Sequence, residues 1–393
     1  EYLKSDIYLK SYIFNFTMNK KSRLILVDGS AYIFRAYYGL PPMNRADGTP
    51  INAVFGFTNM LVKLIEDYSD DKMIVIFDAA RENFRNKIYP EYKANRGEAP
   101  DDLVPQFPLI RECVRSFNIP QLEIEGFEAD DLIASYVKLA EKDEIETIIV
   151  SSDKDLMQLV SDTVTMLDPM KNKKIEIKDV EEKFGVKPNK VIFIQALTGD
   201  KIDNIPGAPG IGPKTASQLI NEFNNIDGLI KNLDKIKQEK RRNILIEAEN
   251  NIRLSLKLVT LKNDVLIPES INKIKTYNEL KNENNNIFDF LKEQGFRSTS
   301  ERLKSNSFIS SDNDNIVQKK EIEPKYLLIN SKNNFEKVLS EIKKNGICAI
   351  DTETNSLDIE KAKLVGISIC CSESISYYIP INHTTLDGSK KID

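Results

Sequence analysis

The sequence contains a single histidine, His383, among its 393 residues. Ser/His/Asp and Cys/His catalytic schemes would depend on that one residue, and histidine-based metal sites are excluded. The four cysteines show no CxxC spacing, which argues against structural zinc and fits a reducing compartment. The chemistry of this protein must therefore rest on other side chains.

Long apolar runs are also missing, and no segment reaches the length of a membrane span. The N-terminal segment mixes charges with apolar residues and lacks the features of a signal peptide. Because Met18 directly precedes the first strand pattern, we expect residues 1–17 to be an extension outside the fold. The net charge of −5 does not by itself indicate a nucleic-acid binder. We expect a cytoplasmic protein with no membrane partner.

Four short runs of apolar and β-branched residues alternate with helical patterns: RLILVDGS, KMIVIFDAA, ETIIVSSDKD and TVTMLD. This alternation predicts parallel strands that are buried on both faces of an α/β fold. Ligands of such sheets bind beyond the carboxyl ends of the strands. Three of these ends carry Asp28, Asp78 and Asp153, so the pattern predicts an acidic site at one edge of the sheet.

The stretch EGFEADDLIAS places Glu128, Asp130 and Asp131 at the start of a predicted helix. Acidic residues are favoured in a first helical turn, but three in four residues repel one another unless they reach solvent or share a cation. Taken singly, each acidic residue of this region is equally well explained as a turn residue or helix cap. Taken together, the acidic residues predict two or more Mg²⁺ or Mn²⁺ ions that cleave a phosphodiester without a histidine base. The candidate ligands are Asp28, Asp78, Glu128, Asp130, Asp131, Asp153, Asp155, Asp200 and Asp203.

Two further stretches are candidates for binding nucleic acid. RENFRNKIYPEYKANRGEAP interleaves basic and aromatic residues, which suits a single strand, although an ordinary solvated helix fits as well. GAPGIGPKTA is similar to a nucleotide-binding P-loop, but Pro213 separates Gly212 from Lys214 and no strand precedes it, so we reject ATP binding. Glycines before a helix still predict a phosphate-binding turn, or a simple helix connection.

Several ordered motifs together give the chain a specific resemblance: LVDGSAYIFRAYY, IVIFDA, FRNKIYPEYKANR, GFEADDLIAS, SSDKDLMQL and LTGDKIDNIPGAPGIGPKTA. Residues 22 to about 302 resemble the 5′ nuclease domain of bacterial DNA polymerase I, which is related to flap endonucleases. The resemblance implies a PIN-like α/β fold with a parallel-rich central sheet, a helical arch over the active site and a helical DNA-binding half of helix-hairpin-helix type. All nine acidic residues stand at the metal-ligand positions of the family.

The resemblance also implies roles for other residues. Lys93 and Arg96 match basic arch residues that act on the scissile phosphate, and K⁺ is expected at the glycine-rich turn. Expected partners are DNA with a 5′ flap, nick or 5′ end, the RNA primer strand of an RNA–DNA hybrid, and a separate or downstream polymerase. Expected DNA contacts from the resemblance are Phe34, Arg35, Tyr92, Gly210, Gly212 and Lys214, and the basic and aromatic stretch itself adds Arg81 and Arg85.

The segment order predicts five regions: an extension at 1–17, a catalytic core with the arch at 18–180, a helical half at 181–303, a polar linker at 304–324, and a second α/β segment at 325–393. The second segment resembles the start of an RNase H-like proofreading domain, in which AIDTETNSLD supplies Asp351 and Glu353. Because further carboxylates and a polymerase domain are missing, we expect neither proofreading nor DNA synthesis from these residues.

The favoured interpretation is a metal-dependent 5′-3′ exonuclease and 5′ flap endonuclease that acts in DNA replication and repair. A non-catalytic DNA-binding module of the same fold is the alternative, although none of the expected metal ligands is substituted. A small toxin-type ribonuclease is a third possibility, which the additional helical half argues against.

Overall fold

The computed structural model describes residues 23–79, 82–169, 171–281, 286–305, 325–356, 358, 360–372 and 375–381. The predicted N-terminal extension at 1–17, Arg81, His383 and residues 306–324 of the predicted linker lie outside the described residues. The described chain forms two compact units, one on each side of that linker. Within it, no helix combines the length and the apolar character that a membrane span requires.

The first unit is built on a six-stranded sheet with the strand order β3-β2-β1-β4-β5-β6. Its pairs are parallel except for the antiparallel pair of β5 and β6. The strands are β1 Leu24–Asp28, β2 Lys72–Ile76, β3 Gln121–Leu122, β4 Thr147–Val150, β5 Val164–Asp168 and β6 Lys173–Ile175. The four predicted strands are confirmed as β1, β2, β4 and β5.

Side chains along β1 point alternately to the two faces of the sheet, and both faces are buried, which explains why its sequence is apolar up to Asp28. Leu24 and Leu26 belong to one buried cluster, whereas Ile25 and Val27 belong to another on the opposite face of the sheet. All four side chains are fully buried, as expected for a central parallel strand covered by helices on both faces. The α/β class with a parallel-rich sheet is therefore confirmed.

Fourteen α-helices are described in this unit. Those of the first half are α1 Gly29–Gly39, α2 Asn52–Tyr68, α3 Phe84–Ile88, α4 Gln106–Ser116, α5 Ala129–Lys142 and α6 Ile177–Phe184. Those that follow are α7 Val191–Thr198, α8 Pro213–Phe223, α9 Ile226–Lys231, α10 Glu239–Glu247, α11 Glu249–Val259, α12 Tyr277–Leu280, α13 Ile287–Gln294 and α14 Arg297–Ser305. Short 3₁₀ turns span Asp155–Leu159, Pro188–Lys190, Leu233–Lys235 and Ile271–Lys273. The predicted division at residue 180 falls inside α6 and inside this one compact unit.

The segment predicted to form a helical arch contains only the five-residue helix α3, followed by turns. Pro90 explains the early end of α3, because proline disfavours a helical conformation in the residue before it. Tyr89 is accordingly extended, with φ −144° and ψ 99°. The chain from Tyr89 to Arg96 then packs against the turn that follows α7, where the Lys93 N–H donates to the Asp203 carbonyl oxygen at 2.9 Å.

The second unit has a four-stranded sheet in the order β7-β10-β9-β8, with one helix against it. Its elements are β7 Lys325–Leu328, α15 Lys332–Asn345, β8 Ala349–Thr354, β9 Leu364–Ser372 and β10 Ile375–Pro380. They match the predicted order of strand, helix and three strands. Asp351 and Glu353 lie on the exposed strand β8, and the assignment of this unit to an RNase H-like domain stays a prediction.

Two glycines allow the turn after α7 to close, and this yields a stability prediction. Gly207 has φ +59°, and a Cβ atom there would lie 2.4 Å from the backbone nitrogen of Gly199. We expect Gly207→Ala to lower the free energy of unfolding by about 3 kcal/mol, because it adds a backbone clash to the cost of a left-handed conformation. Gly210 is the matched control, since it has φ +80° but open space around it.

Gly210→Ala should cost only about 1 kcal/mol. Urea unfolding of both variants measures the difference. Equal losses in the two variants would show that the close packing at Gly207 does not matter to stability.

Candidate active site

Seven of the nine predicted carboxylates line one cavity at the carboxyl ends of β1, β2 and β4. The cavity has a volume of about 130 Å³, and we call it the carboxylate cavity. Because parallel strands end at the same edge of a sheet, residues distant in sequence meet there. Its acidic residues are Asp28, Asp78, Glu128, Asp130, Asp153, Asp155 and Asp203.

Asp28 and Asp78 are held by hydrogen bonds that join neighbouring elements. Asp28 caps α1, since its Oδ1 accepts from the Ala31 N–H at 2.9 Å, while its Oδ2 accepts from the Ser151 hydroxyl at 2.8 Å. Asp78 Oδ1 accepts from the Ala129 N–H at the start of α5, also at 2.8 Å. The first turns of α1 and α5 are thereby tied to the ends of β1, β2 and β4.

Burial raises the pKa values of several acids in the cavity. The pKa of Asp28 rises to about 7, mainly through burial, against the hydrogen bonds from Ala31 and Ser151. Burial and the charge of Asp153 raise the pKa of Asp155 to about 7. The pKa of Asp130 is raised by burial and by the charges of Asp153 and Asp28. Positive charge in the cavity favours the ionised forms of these acids.

Two basic side chains supply part of that charge. Lys93 forms an ion pair with Glu128, which also accepts from the Tyr92 hydroxyl at 3.1 Å. Arg96 pairs with Asp203 at 2.6 Å. Among the described residues, no three or more acidic, histidine or cysteine side chains are already arranged as the ligands of one metal ion. All-oxygen donors that repel one another nevertheless fit a hard divalent cation in their chemistry.

Asp131 does not line the carboxylate cavity, although it was predicted as a metal ligand. Its side chain is fully buried and binds Arg85 through two hydrogen bonds of 2.7 and 2.8 Å. The Lys262 N–H donates to the same carboxylate at 2.9 Å. Adjacent residues on a helix point about 100° apart, which explains why Asp130 faces the cavity and Asp131 faces the protein interior.

Asp200 also lies outside the carboxylate cavity. It pairs with Lys154 at 2.6 Å and lines a neighbouring cavity of about 210 Å³. Its Oδ1 accepts from the Ile202 N–H at 2.8 Å. Asp200 therefore shapes the turn that presents Asp203.

The predicted DNA contacts occupy different environments. Phe34 lines the carboxylate cavity and is 42 % exposed, whereas Arg35 is half-buried and does not line it. Arg85 and Tyr92 are buried rather than exposed, because each bonds to the acidic residues beneath it. The remaining described contacts, Gly210, Gly212 and Lys214, are exposed at the start of α8.

Three polar residues that support the site were missed from the sequence. Ser30 accepts from the Asp78 N–H at 2.9 Å, and Ser151 bonds to Asp28. Both serines lie within two residues of a strand end, in DGS and SSD, which was a usable signal. Gln195 donates to Asp155 from inside α7, where no local sequence feature marks it.

Arg85 joins three segments, so its loss should be costly. Its guanidinium bonds to Glu128, Asp131 and the Leu258 carbonyl oxygen. We expect Arg85→Met to lower the free energy of unfolding by about 3–5 kcal/mol, because it leaves the buried Asp131 carboxylate without its counter-charge. Arg253, whose ion pairs with Asp227 and Glu249 are exposed, is the control.

Arg253→Met should cost less than about 1 kcal/mol. Urea unfolding at neutral pH compares the two variants. If both variants lost similarly little free energy of unfolding, Arg85 would not stabilise the fold by joining these three segments.

The raised pKa values also predict how stability depends on pH. Asp28 and Asp155 keep their protons up to about pH 7 in the folded chain, whereas unfolded aspartate loses its proton near pH 4. Between these values the folded state binds more protons, so the free energy of unfolding should fall as pH rises. Asp28→Asn should weaken this fall and stabilise the fold at about pH 8.

Urea unfolding in chelator at several pH values between about 5 and 8 measures the effect. If the free energy of unfolding of Asp28→Asn fell with pH as steeply as that of the parent chain, this prediction would be wrong.

Two family models match the first unit. The model for the 5′-3′ exonuclease N-terminal resolvase-like domain matches residues 23–185, and the model for the 5′-3′ exonuclease C-terminal SAM fold matches residues 186–283. Together they cover the six-stranded sheet, the carboxylate cavity and helices α7 to α11. The predicted combination of a PIN-like core with a helical half is confirmed.

Individual relatives agree with these models. The chain is 52 % identical to DNA polymerase I of Rhizobium leguminosarum over 256 residues, which cover 63 % of this chain and 25 % of that protein. It is 39 % identical to the 5′-3′ exonuclease of Aquifex aeolicus over 252 residues, which cover 64 % of this chain and 86 % of that protein. The chain thus spans about a quarter of the polymerase but most of the exonuclease.

A solved structure shows the same fold. The phage T5 D15 protein co-crystallized with metal ions matches with a TM-score of 0.53 and 25 % identity, over 72 % of this chain and 98 % of that chain. The sequence motifs, the two family models and the relative covered over most of its length all agree. This chain belongs to the 5′-3′ exonuclease family.

Proposed function

We propose that this chain is a divalent-metal-dependent 5′ nuclease that hydrolyses DNA phosphodiesters at 5′ ends and 5′ flaps. The observation that carries the proposal is the carboxylate cavity, in which seven acidic side chains meet beside Lys93 and Arg96. The name of the A. aeolicus relative supports exonuclease activity. A T5 D15 flap endonuclease, 25 % identical with a TM-score of 0.52, has been solved with DNA and metal ions, which supports flap DNA as the substrate.

The carboxylates of the cavity would hold the cations, which we propose to be two or more Mg²⁺ or Mn²⁺ ions. When bound, such ions supply Lewis-acid chemistry and offset the charge that develops during phosphodiester hydrolysis. The best placed are those for which no described hydrogen bond or ion pair involves a cationic side chain: Asp28, Asp78, Asp130, Asp153 and Asp155. Asp131 is better explained by its bonds to Arg85 than as a ligand.

Lys93 and Arg96 bind the scissile phosphate in this proposal. In the described structure they neutralise Glu128 and Asp203. Cations in the cavity would take over that neutralisation, so both basic groups could turn toward phosphate oxygens. Arg96 is suited to this exchange because its side chain is 47 % exposed.

The remaining contacts orient the DNA. Phe34 offers an exposed ring at the cavity, on which a base can stack. Gly210 and Gly212 lie in the exposed turn before α8, and Lys214 lies in the first turn of that helix. The free N–H groups there suit a backbone phosphate, and K⁺ is proposed there as well. We further propose an RNA primer strand as a substrate and a polymerase as the partner in replication and repair.

Cleavage of a 5′-labelled flap DNA tests the proposed function. The parent chain should release labelled products with Mg²⁺ and none with chelator. Asp153→Asn should lower the rate by about 100-fold or more, because it removes a charge that holds the cations. Asp264→Asn is the matched control, since Asp264 is exposed and pairs with Lys262 away from the cavity.

Asp264→Asn should leave the rate unchanged, and both variants should retain the circular dichroism spectrum of the parent. Product lengths separate exonuclease from flap cleavage. Tight DNA binding without cleavage under any metal condition would instead indicate a non-catalytic DNA-binding module.

A further inference from the structure

Asp155 enters the carboxylate cavity from a 3₁₀ turn that follows β4. Its backbone N–H donates to Asp153 Oδ1 at 2.8 Å, which fixes the start of the turn. This bond does not fix the direction of the Asp155 carboxylate itself. In the part of the chain that the structure describes, the side-chain donor to that carboxylate is Gln195, whose Nε2 lies 2.5 Å from Oδ1.

Gln195 reaches Asp155 from a different part of the chain. It lies on α7, within the region matched by the C-terminal family model, whereas Asp155 lies in the region matched by the N-terminal model. The Gln195 carbonyl oxygen accepts from the Gly199 N–H at 2.9 Å, where α7 ends. The turn that begins there carries Asp203 into the cavity. One segment therefore presents Asp203 directly and orients Asp155 through Gln195.

The other end of the Gln195 amide is unfavourable for stability. The side chain is only 8 % exposed, and its Oε1 has no hydrogen-bond partner among the described residues. A buried amide oxygen without a partner lowers stability, and an aliphatic side chain of similar size would avoid that loss. Packing alone would therefore favour an aliphatic side chain at this position. The hydrogen bond to Asp155 is what distinguishes glutamine from such a side chain.

A neutral donor has a specific advantage beside a cation site. A lysine or arginine at this position would neutralise Asp155 and oppose the binding of a cation. An amide N–H orients one carboxylate oxygen and leaves the charge of the group in place. Partners of metal-binding side chains commonly act in this way, and their loss typically weakens metal binding by about 10–100-fold.

We propose that Gln195 is a positioning residue that holds the Asp155 carboxylate toward the carboxylate cavity and thereby strengthens divalent-cation binding. Gln195 does not itself line the carboxylate cavity. It acts through Asp155, and it ties the helical half to the acidic edge of the sheet. This inference rests on the proposed function, because it requires that the cavity binds divalent cations.

Mn²⁺ binding to the full chain without DNA tests the inference, with free Mn²⁺ followed by electron paramagnetic resonance. Gln195→Met keeps the length of the side chain and removes the donor, so we expect it to weaken Mn²⁺ binding by about 10-fold. Gln195→Leu should do the same. The control is Gln294→Met, because Gln294 is also a buried glutamine with one unpartnered amide atom but lines a separate pocket near Arg45.

Thermal unfolding in chelator separates positioning from a structural role. Gln195→Met and Gln195→Leu should keep or raise the melting temperature, since the unpartnered oxygen is removed. The affinity for flap DNA in chelator should also be unchanged. A structural role would instead lower the melting temperature and leave Mn²⁺ binding of the folded variant as in the parent.

Three outcomes decide the question. Weaker Mn²⁺ binding in both Gln195 variants, with parent-like binding in Gln294→Met, supports the inference. Parent-like Mn²⁺ binding in the Gln195 variants overturns the inference and leaves the proposed nuclease function standing. A parent chain that binds no Mn²⁺ overturns both.

Discussion

The structure depends on how one cavity accommodates seven carboxylates. Bringing Asp28, Asp130, Asp153 and Asp155 together at the end of a buried sheet is unfavourable. The pKa values of Asp28 and Asp155 are raised mainly by burial, and the charges of neighbouring carboxylates raise them further. A fold that served stability alone would place apolar or singly charged residues there. Charge of this density at the edge of a parallel sheet is typical of a functional site, where residues needed for activity are kept although they lower stability.

Basic groups at two depths offset this repulsion. The deeper group is Arg85, which is buried against Glu128 and Asp131 and joins α3, α5 and the end of α11. The outer groups are Lys93 and Arg96, whose side chains are more exposed than that of Arg85 and which pair with Glu128 and Asp203. The ion pairs of Arg85 are buried in the core and stabilise the fold itself. The outer pairs are more accessible, and this difference fits a site in which cations and phosphate exchange places with the protein's own basic side chains.

Much of the fold and part of the site could be predicted from the sequence. The strand ending at Asp28 was predictable because a β-branched apolar run marks a buried parallel strand, and strand ends converge. The sequence could not separate Asp130 from Asp131, because only the rotation of α5 decides which one faces the cavity. Arg85 was expected to contact DNA, since a basic residue among aromatic ones suggests a surface. Gln195 had no local signal, as its role follows from where α7 packs.

The proposed function requires that the carboxylate cavity binds divalent cations. Anomalous diffraction from crystals of the chain grown with Mn²⁺ tests it directly, because the anomalous signal locates each ion independently of any activity. We expect anomalous peaks inside the cavity, within bonding distance of carboxylate oxygens of residues such as Asp130 and Asp153. Peaks found only elsewhere on the chain, at Mn²⁺ concentrations that saturate binding in solution, would show that the cavity is not the divalent-cation site.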